Sequence, residues 1–297
     1  MLLSKAQWVH DLRLAGGVGA DSTRAWYASA FRSLIEQLSD PPLDQITLEQ
    51  LRHWRAALMS NGRSPWTVDG YIRAIKIAFR WLADEGYLDQ DPAERLKRPR
   101  LPDPDPKAVS KEDLQLLLAA ARITSARNYA IICVLADTGV RAGGLVGMKL
   151  GNLHLDRDPP SAVVWEKGGG GYGKARRVFF SPRTVEALEL HLATRPKSRS
   201  DAVFLGRTRR PLTVSGLRQV IKTLAERAGC KGNVTTHGFR HGAAIGMLEN
   251  GLDLGTVSRL LGHSGIAVTH KFYARWSDDQ LADRHRDHSW LPDEDSA

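Results

Sequence analysis

Residues 236–241 read Thr-His-Gly-Phe-Arg-His, and this short stretch decides how the rest of the chain is interpreted. His237 and Arg240 are three positions apart, so on a helix both side chains project from one face. An imidazole, which can accept or donate a proton, then lies next to a permanent cation. A capped helix start with a polar outer face gives the same pattern, so the stretch has to be weighed together with other motifs.

Three further segments contain residues of related chemistry. Thr138-Gly139-Val140-Arg141 follows a run that is apolar nearly all round, and an arginine there can hold a phosphate with its planar guanidinium. Leu260-Leu261-Gly262-His263-Ser264 places a glycine where a helix would end. Tyr273 follows His263 by ten residues on an amphipathic run. Taken singly, these residues are more typical of a surface arginine, a structural histidine and a core tyrosine.

Basic residues are concentrated in the second half of the chain. The protein has 297 residues and a formal net charge of +9. Residues 1–106 contain 14 Lys/Arg and 14 Asp/Glu, residues 107–276 contain 26 and 12, and residues 277–297 contain 2 and 7. The basic surface therefore belongs to residues 107–276. Such a surface favours a polyanionic partner, although a solvated basic protein has the same composition.

A proline-rich stretch divides the chain. Residues 97–106 contain four prolines, which fix φ and remove backbone donors, so they predict an extended linker. Residues 1–96 have helical apolar spacing, with helix starts predicted at Ser22-Thr23, Thr47 and Ser64.

The part that follows the linker is mixed in character. Residues 107–276 combine helical patterns, with a helix start predicted at Ser110 and a buried helix at 128–135, and two β-rich runs, 162–165 and 177–180, around a glycine-rich tip. This arrangement is typical of a hairpin, here with a long mobile tip. The predicted fold class is mainly α with a small β-sheet, made of a helical domain and an α+β domain and followed by an acidic tail at 277–297.

The motifs together resemble the catalytic signature of the tyrosine recombinase (phage integrase) family, and in particular its Xer-like site-specific recombinases. The order is Arg, Lys in a hairpin, His-x-x-Arg, Gly-His and Tyr. The resemblance covers the whole layout and implies a SAM-like core-binding domain that clamps DNA at 1–96 and a catalytic domain at 107–276. The catalytic residues that it implies are Arg141, Lys167, His237, Arg240, His263 and Tyr273.

Two positions depart from the family pattern. Family members usually have an acidic residue three positions after the first arginine, where this chain has Gly144, so no acidic side chain at this position can orient Arg141. The lysine has two candidates. Lys167 ends the first predicted strand, as the family pattern requires, and Lys174 opens the stretch that leads into the second.

Each implied catalytic group has a chemical task. Tyr273 attacks the phosphodiester and stores its bond energy in a 3′-phosphotyrosine. Arg141 and Arg240 stabilise the charge on the non-bridging oxygens of the transition state. His263 hydrogen-bonds the same phosphate, His237 handles the proton of the nucleophile, and the lysine protonates the departing 5′ oxygen. Because these groups supply the positive charge that a metal ion brings elsewhere, we expect no cofactor and no divalent cation.

The resemblance also implies partners. They are double-stranded DNA, three further protomers in a synaptic tetramer and, as a further candidate, an accessory DNA-bending protein. The acidic tail either docks on a neighbouring protomer or frays. DNA contacts are expected from basic side chains of the N-terminal helices and of the hairpin: Arg52, Arg55, Arg63, Arg73, Lys76, Arg80, Lys174 and Arg176.

Two other functions fit the same residues: a type IB topoisomerase, and an architectural DNA-binding protein without catalysis. Cys133 and Cys230 match no metal-ligand spacing. The sequence has neither a secretory signal nor an apolar run of about 18–20 residues that could span a membrane. We therefore expect a cytoplasmic, nucleoid-associated protein that has no membrane partner.

Overall fold

The computed structural model describes residues 1–16, 21–102, 108–166 and 173–262. The chain divides into two compact units, one built around residues 1–102 and the other around residues 108–166 and 173–262. Helices make up most of both units, and a small antiparallel sheet lies in the second. The predicted fold class, mainly α with a small β-sheet, is confirmed. Within the described ranges, no helix combines the length and the apolar character that crossing a membrane requires.

The first unit consists of helices around one apolar core. The helices are α1 (Leu3–Gly16), α2 (Asp21–Leu38), α3 (Leu48–Ser60) and α4 (Pro65–Asp84). Thr47 caps α3 and forms the predicted capping box with Gln50, and Ser64 caps α4 as expected. Helix α2 begins at Asp21, one residue before the predicted start. Phe31, Trp54 and Phe79 are fully buried where the helices meet.

A buried carboxylate joins α4 to the residues that follow it. The side chain of Asp69 is 3% exposed, and its two oxygens accept hydrogen bonds from Nε and Nη2 of Arg98 at 2.6 and 3.0 Å. Nε of Arg73 lies 3.2 Å from Oδ2 of Asp69. Arg55 donates a hydrogen bond to the carbonyl oxygen of Lys97 at 2.9 Å. The first two residues of the predicted linker are therefore held against the helices of the first unit.

The second unit surrounds one buried helix. Its helices are α5 (Lys111–Thr124), α6 (Ala126–Thr138), α7 (Ala142–Val146), α8 (Pro182–Thr194), α9 (Val214–Ala228), α10 (Thr236–Glu249) and α11 (Leu254–Leu261). Helix α6 packs against α5, α8 and α10, and Ile131, Val134 and Leu135 are fully buried. This agrees with the apolar run predicted to be buried. Ser110 caps α5 as predicted, by accepting a hydrogen bond from the backbone N–H of Asp113.

The sheet contains the predicted hairpin and one further strand. Strands β1 (Leu153–His154), β2 (Ser161–Glu166) and β3 (Lys174–Phe179) are antiparallel in the order β1-β2-β3. Strand β3 begins three residues earlier than predicted. A strand of two residues, such as β1, is too short to show any alternation. The glycine-rich tip, predicted to be mobile, spans residues 168–173, and all of it except Gly173 lies outside the described residues.

Gly139 lies where α10 and α11 pack against the end of α6. Its φ of +56° is left-handed and ends α6. A Cβ atom at this position would lie 2.5 Å from Cδ2 of Leu261 and 3.3 Å from Cβ of Ala243. Only glycine lets α10 and α11 pack so closely on this turn. The turn thereby places Arg141 beside α10.

Candidate active site

Arg240 lies at the centre of a cluster of arginines in the second unit. Thr235 caps α10 by accepting a hydrogen bond from the backbone N–H of Gly238, which fixes the helix turn that bears Arg240. The residue is only 8% exposed. Its Nη1 donates to the carbonyl oxygen of Gly139 at 2.9 Å, and its Nη2 donates to that of Leu261 at 2.7 Å. Arg240 thus joins the ends of α6 and α11.

The charge of Arg240 persists despite its burial. Burial, the largest cause, and the positive charges of Arg141 and Arg176 together lower the pKa of Arg240 to about 10, while the charge of Glu166 acts in the opposite direction. A guanidinium with a pKa of about 10 is still protonated at neutral pH. Two of its five N–H donors bind carbonyl oxygens, which leaves three for other partners.

Arg141 occupies the N-cap position of α7, in extended backbone conformation. Its backbone N–H donates to Oε1 of Glu166 at 2.8 Å, and its Nη1 donates to Oε2 of the same carboxylate at 2.5 Å. The Arg141 side chain remains 32% exposed. One carboxylate therefore holds both the backbone and the guanidinium of Arg141, and part of the guanidinium still faces solvent.

Arg176, which the sequence predicts to contact DNA, lies mostly inside the second unit. Its side chain is 10% exposed, with Nη2 3.0 Å from Oε1 of Glu166 and Nη1 bonded to the carbonyl oxygen of Leu260. In the sheet Arg176 is paired with the buried Val164. Because alternate residues of a strand face the same side, the side chain of Arg176 lies on the inner face of β3. Arg176 therefore connects β3 to the end of α11 inside the unit.

Glu166 is the acidic member of the cluster. Burial by itself raises the pKa of this carboxyl group, but the hydrogen bonds from Arg176 and Arg141 and the charges of both outweigh burial. The pKa of Glu166 therefore lies below its ordinary value, and the group is ionised at neutral pH. Three guanidinium groups and one carboxylate leave the cluster with a surplus of positive charge, an arrangement suited to an anion such as a phosphate.

The other predicted catalytic residues differ in how far they are described. His237 lies in the first turn of α10, exposed, whereas Arg240 one turn later is buried. Lys167, His263 and Tyr273 lie outside the described residues. Gly262 ends α11 with a left-handed φ of +67°, as the sequence predicts for the residue before His263.

Lys174, the alternative lysine, is exposed at the start of β3 and is paired with Glu166 across the hairpin. The alternation of the strand puts Lys174 on the same face of the sheet as Arg176.

The basic residues of the first unit fall into two groups. Lys76 and Arg55 are half-buried and bind backbone carbonyl oxygens, Lys76 those of residues 93, 94 and 96. These two side chains are engaged within the unit and hold the segment after α4. The exposed members of the predicted set are Arg52, Arg63, Arg73 and Arg80.

Sequence reasoning missed Glu166. The signal was present in β2, where Ala162 and Val164 are buried and Glu166 lies at the next position of the same alternation. A carboxylate on the inner face of a strand needs cations close by. On β3, Arg176 lies two positions after Lys174, the cross-strand partner of Glu166, so alternation of period two places the side chains of Arg176 and Glu166 on the same face of the sheet.

Comparison with known proteins gives the same class of enzyme as the site. Residues 107–280 match the family model described as "Phage integrase family". The tyrosine recombinase XerC of Mycobacterium leprae is 34% identical over 85% of this chain and 88% of its own. The tyrosine recombinase XerD of Listeria monocytogenes is 28% identical over 88% of this chain and 90% of its own.

A solved structure, the Tn1549 transposon integrase in complex with a circular intermediate DNA, has the same fold. Its TM-score is 0.79 at 18% identity, and the match covers 97% of this chain and 100% of that one. Fold and site define a tyrosine recombinase. The chain belongs to the phage integrase family, which confirms the resemblance seen in the sequence.

Proposed function

We propose that this chain is a site-specific DNA recombinase that cleaves and rejoins DNA strands through a covalent bond between Tyr273 and a 3′ phosphate. The observation that supports the proposal best is the cluster in which Arg141 and Arg240, 99 positions apart in the sequence, lie around one carboxylate with positive charge in excess. The family to which the chain belongs is consistent with this chemistry.

The arginines account for the electrostatic part of the reaction. Arg240 has three N–H donors left after its two carbonyl bonds, and the guanidinium of Arg141 is partly exposed. Donors fixed before the reaction stabilise a phosphorane-like transition state without reorganising, and loss of one such donor typically costs about 10²–10³-fold in rate. In this proposal both guanidiniums contact the non-bridging oxygens of the scissile phosphate.

Bond making and proton transfer complete the reaction. The phenolic oxygen of Tyr273 attacks phosphorus, the bond from phosphorus to the 5′ oxygen breaks, and the phosphate stays on the tyrosine. His237, at the exposed start of α10, takes the phenolic proton, and His263 hydrogen-bonds the phosphate. A lysine donates the proton that the departing 5′ oxygen requires. Rejoining reverses these steps with a different 5′ hydroxyl.

Double-stranded DNA is the proposed partner. The basic surplus of residues 107–276 supports it, and the structurally similar Tn1549 integrase is described in complex with DNA. Exposed arginines of the first unit, among them Arg52, Arg63 and Arg80, are proposed contacts together with Lys174. Because such contacts release counterions, binding should weaken steeply as salt rises.

We further propose how the chain is organised for this task. Residues 1–96 clamp the DNA, residues 97–106 link them to a catalytic domain at 107–276, and the acidic residues 277–297 dock on a neighbouring protomer. Four protomers on two sites form the synaptic complex in the cytoplasm, at the nucleoid, with an accessory DNA-bending protein as a further partner.

The experiment that tests this function is a suicide-substrate assay in the presence of EDTA. A nicked duplex library drawn from the DNA that flanks the gene is incubated with the wild type and with Tyr273→Phe. We expect a protein–DNA adduct that resists denaturant for the wild type and none for the variant, which lacks the nucleophilic oxygen. Salt-sensitive binding without any adduct from the wild type would favour an architectural DNA-binding protein instead.

Two additional assays resolve the remaining alternatives. A type IB topoisomerase would relax supercoiled DNA that lacks any target site, whereas a site-specific recombinase should not. For the lysine, Lys167→Ala and Lys174→Ala are compared on substrates with oxygen or sulfur at the 5′ leaving position. A thiol has a pKa of about 8.5 and leaves without protonation. The variant that regains its rate on the sulfur substrate has lost the general acid.

A further inference from the structure

Glu166 has no role in the proposed chemistry, although it contacts two of the three arginines in the cluster. Its carboxylate accepts from the backbone N–H of Arg141, from Nη1 of Arg141 and from Nη2 of Arg176. With a side chain only 4% exposed, it is shielded from solvent and cannot itself reach a DNA strand. Whatever Glu166 does for the reaction, it does through the arginines.

We propose that Glu166 is the positioning residue of the site: it fixes the guanidinium of Arg141 for the scissile phosphate and takes the place of a carboxylate that α7 lacks at Gly144. This inference rests on the proposed function, because it concerns the same reaction.

The first argument is the way in which the carboxylate holds Arg141. One oxygen bonds the backbone at the start of α7 and the other bonds the guanidinium, so both ends of the side chain are fixed by one group. A free arginine side chain would lose rotamer entropy on binding the phosphate. Glu166 orders the side chain beforehand, and part of the guanidinium stays exposed for the substrate.

The second argument comes from the space above Gly144, three residues after Arg141. A Cβ atom on Gly144 would lie 3.2 Å from Cγ and 3.3 Å from Oε1 of Glu166, and 2.8 Å from Cγ2 of Val140. A side chain on α7 at this position would therefore point at the Glu166 carboxylate. The two positions compete for one volume, and in this chain the sheet, not the helix, supplies the acid.

The third argument is the connection to the hairpin. Glu166 ends β2 as described, immediately before Lys167, and is paired with Lys174 on β3. Arg176, the second partner of Glu166, also bonds the carbonyl oxygen of Leu260 at the end of α11. Through these contacts Glu166 connects Arg141 to Lys174 on β3 and, by way of Arg176, to Leu260 near the end of α11.

The test relocates the carboxylate from the sheet to the helix. The variants are Glu166→Ala, Gly144→Asp and the double variant Glu166→Ala/Gly144→Asp, with Val140→Ala added to a parallel set to relieve the contact with Val140. Single-turnover adduct formation is measured at saturating protein on the suicide substrate, and the Kd for the same duplex is measured separately. Glu166→Gln, which keeps the shape of the side chain, replaces Glu166→Ala if the latter does not fold.

For Glu166→Ala we expect cleavage slower by about 10²-fold, the loss typical of a misplaced catalytic group, with the Kd nearly unchanged. The double variant should cleave at least about tenfold faster than Glu166→Ala, either with Val140 present or with Val140→Ala added. A purely structural role would lower stability without this recovery.

Two results would overturn the inference: a wild-type cleavage rate in Glu166→Ala, or a folded double variant no faster than Glu166→Ala in both sets. Failure of the proposed function has a different signature, because then the wild type itself forms no adduct; the inference would fall with it.

Discussion

The two units of this protein each contain a buried carboxylate that binds two arginines, and the two clusters differ in what surrounds them. In the first unit Asp69 binds Arg73 and Arg98. In the second unit Glu166 binds Arg141 and Arg176. Both carboxylate side chains are almost fully shielded, at 3% and 4% exposure. By composition and burial of the acid alone, the two sites are equivalent.

The arginines make the difference. Those bound to Asp69 are half exposed, at 52% and 51%, and Arg98 belongs to the segment that it fastens to α4. Arg176 is nearly buried, and the pKa of a third guanidinium, that of Arg240, is lowered by burial and by the nearby charges of Arg141 and Arg176. The Asp69 cluster is a structural link on the surface. The Glu166 cluster concentrates uncompensated positive charge at a partly exposed arginine, which is what an anionic substrate requires.

The largest difference that we expect between the clusters is in the rate of DNA cleavage, and it is measured by comparing Arg141→Ala with Arg73→Ala. We expect Arg141→Ala to slow adduct formation by about 10²–10³-fold, because a donor to the transition-state oxygens is lost. Arg73→Ala should cleave at the wild-type rate once the protein saturates the DNA. Single-turnover assays at several protein concentrations separate the cleavage rate from binding. Equal rates in the two variants would remove the distinction drawn between the clusters.

A second, smaller difference is expected in stability. Glu166→Gln leaves the nearly buried Arg176 without its anionic partner, and breaking a buried pair costs roughly 3–5 kcal/mol. Asp69→Asn leaves two guanidiniums that water can reach, so its cost should be about 1 kcal/mol. Hydrogen exchange of peptides that cover β2 and α4 reports the two units separately. A larger loss of protection in α4 for Asp69→Asn than in β2 for Glu166→Gln would contradict this order.

The smallest effect is a pH dependence of the second unit. The pKa of Glu166 in the folded protein lies below its ordinary value of 4.5, so the unfolded state binds the proton more readily. The stabilisation from ionised Glu166 is therefore present above about pH 4.5 and is lost as the pH falls through the folded pKa. The difference in unfolding free energy between the wild type and Glu166→Gln should shrink as the pH is lowered from 6 towards 3, as urea titrations at each pH would measure. A constant difference would mean that ionisation of Glu166 does not stabilise the fold.

Much of the fold was predictable because its signals are local. The caps at Thr47, Ser64 and Ser110 and the helix ends at Gly139 and Gly262 depend on residues within one turn of each other. The hairpin followed from β-rich runs on either side of a glycine-rich stretch. Strand β1 has only two residues, so its formation depends on pairing with β2, which no local pattern reveals.

The site was predictable in part, for the same reason. Arg141, His237 and Arg240 stand in short motifs that the sequence displays, whereas the role of Glu166 depends on residues 10 and 25 positions away. Arg55, Lys76 and Arg176 were expected to contact DNA because they are basic. The structure shows that their donors bind carbonyl oxygens, and for Arg176 also the carboxylate of Glu166, contacts that are set by packing between elements.

The most direct test of the account compares Arg240→Lys with Arg98→Lys in single-turnover cleavage of the suicide substrate, with EDTA present. Lysine keeps the positive charge, but its three donors lie on one nitrogen, so it cannot span the carbonyl oxygens of Gly139 and Leu261 and also present a planar, bidentate fork to a phosphate, as Arg240 is proposed to do. The account predicts that Arg240→Lys forms the Tyr273 adduct about 10²-fold more slowly than the wild type while still binding the DNA, and that Arg98→Lys matches the wild type. Wild-type cleavage by a folded Arg240→Lys would contradict the claim that the arginine cluster of the second unit is the catalytic site.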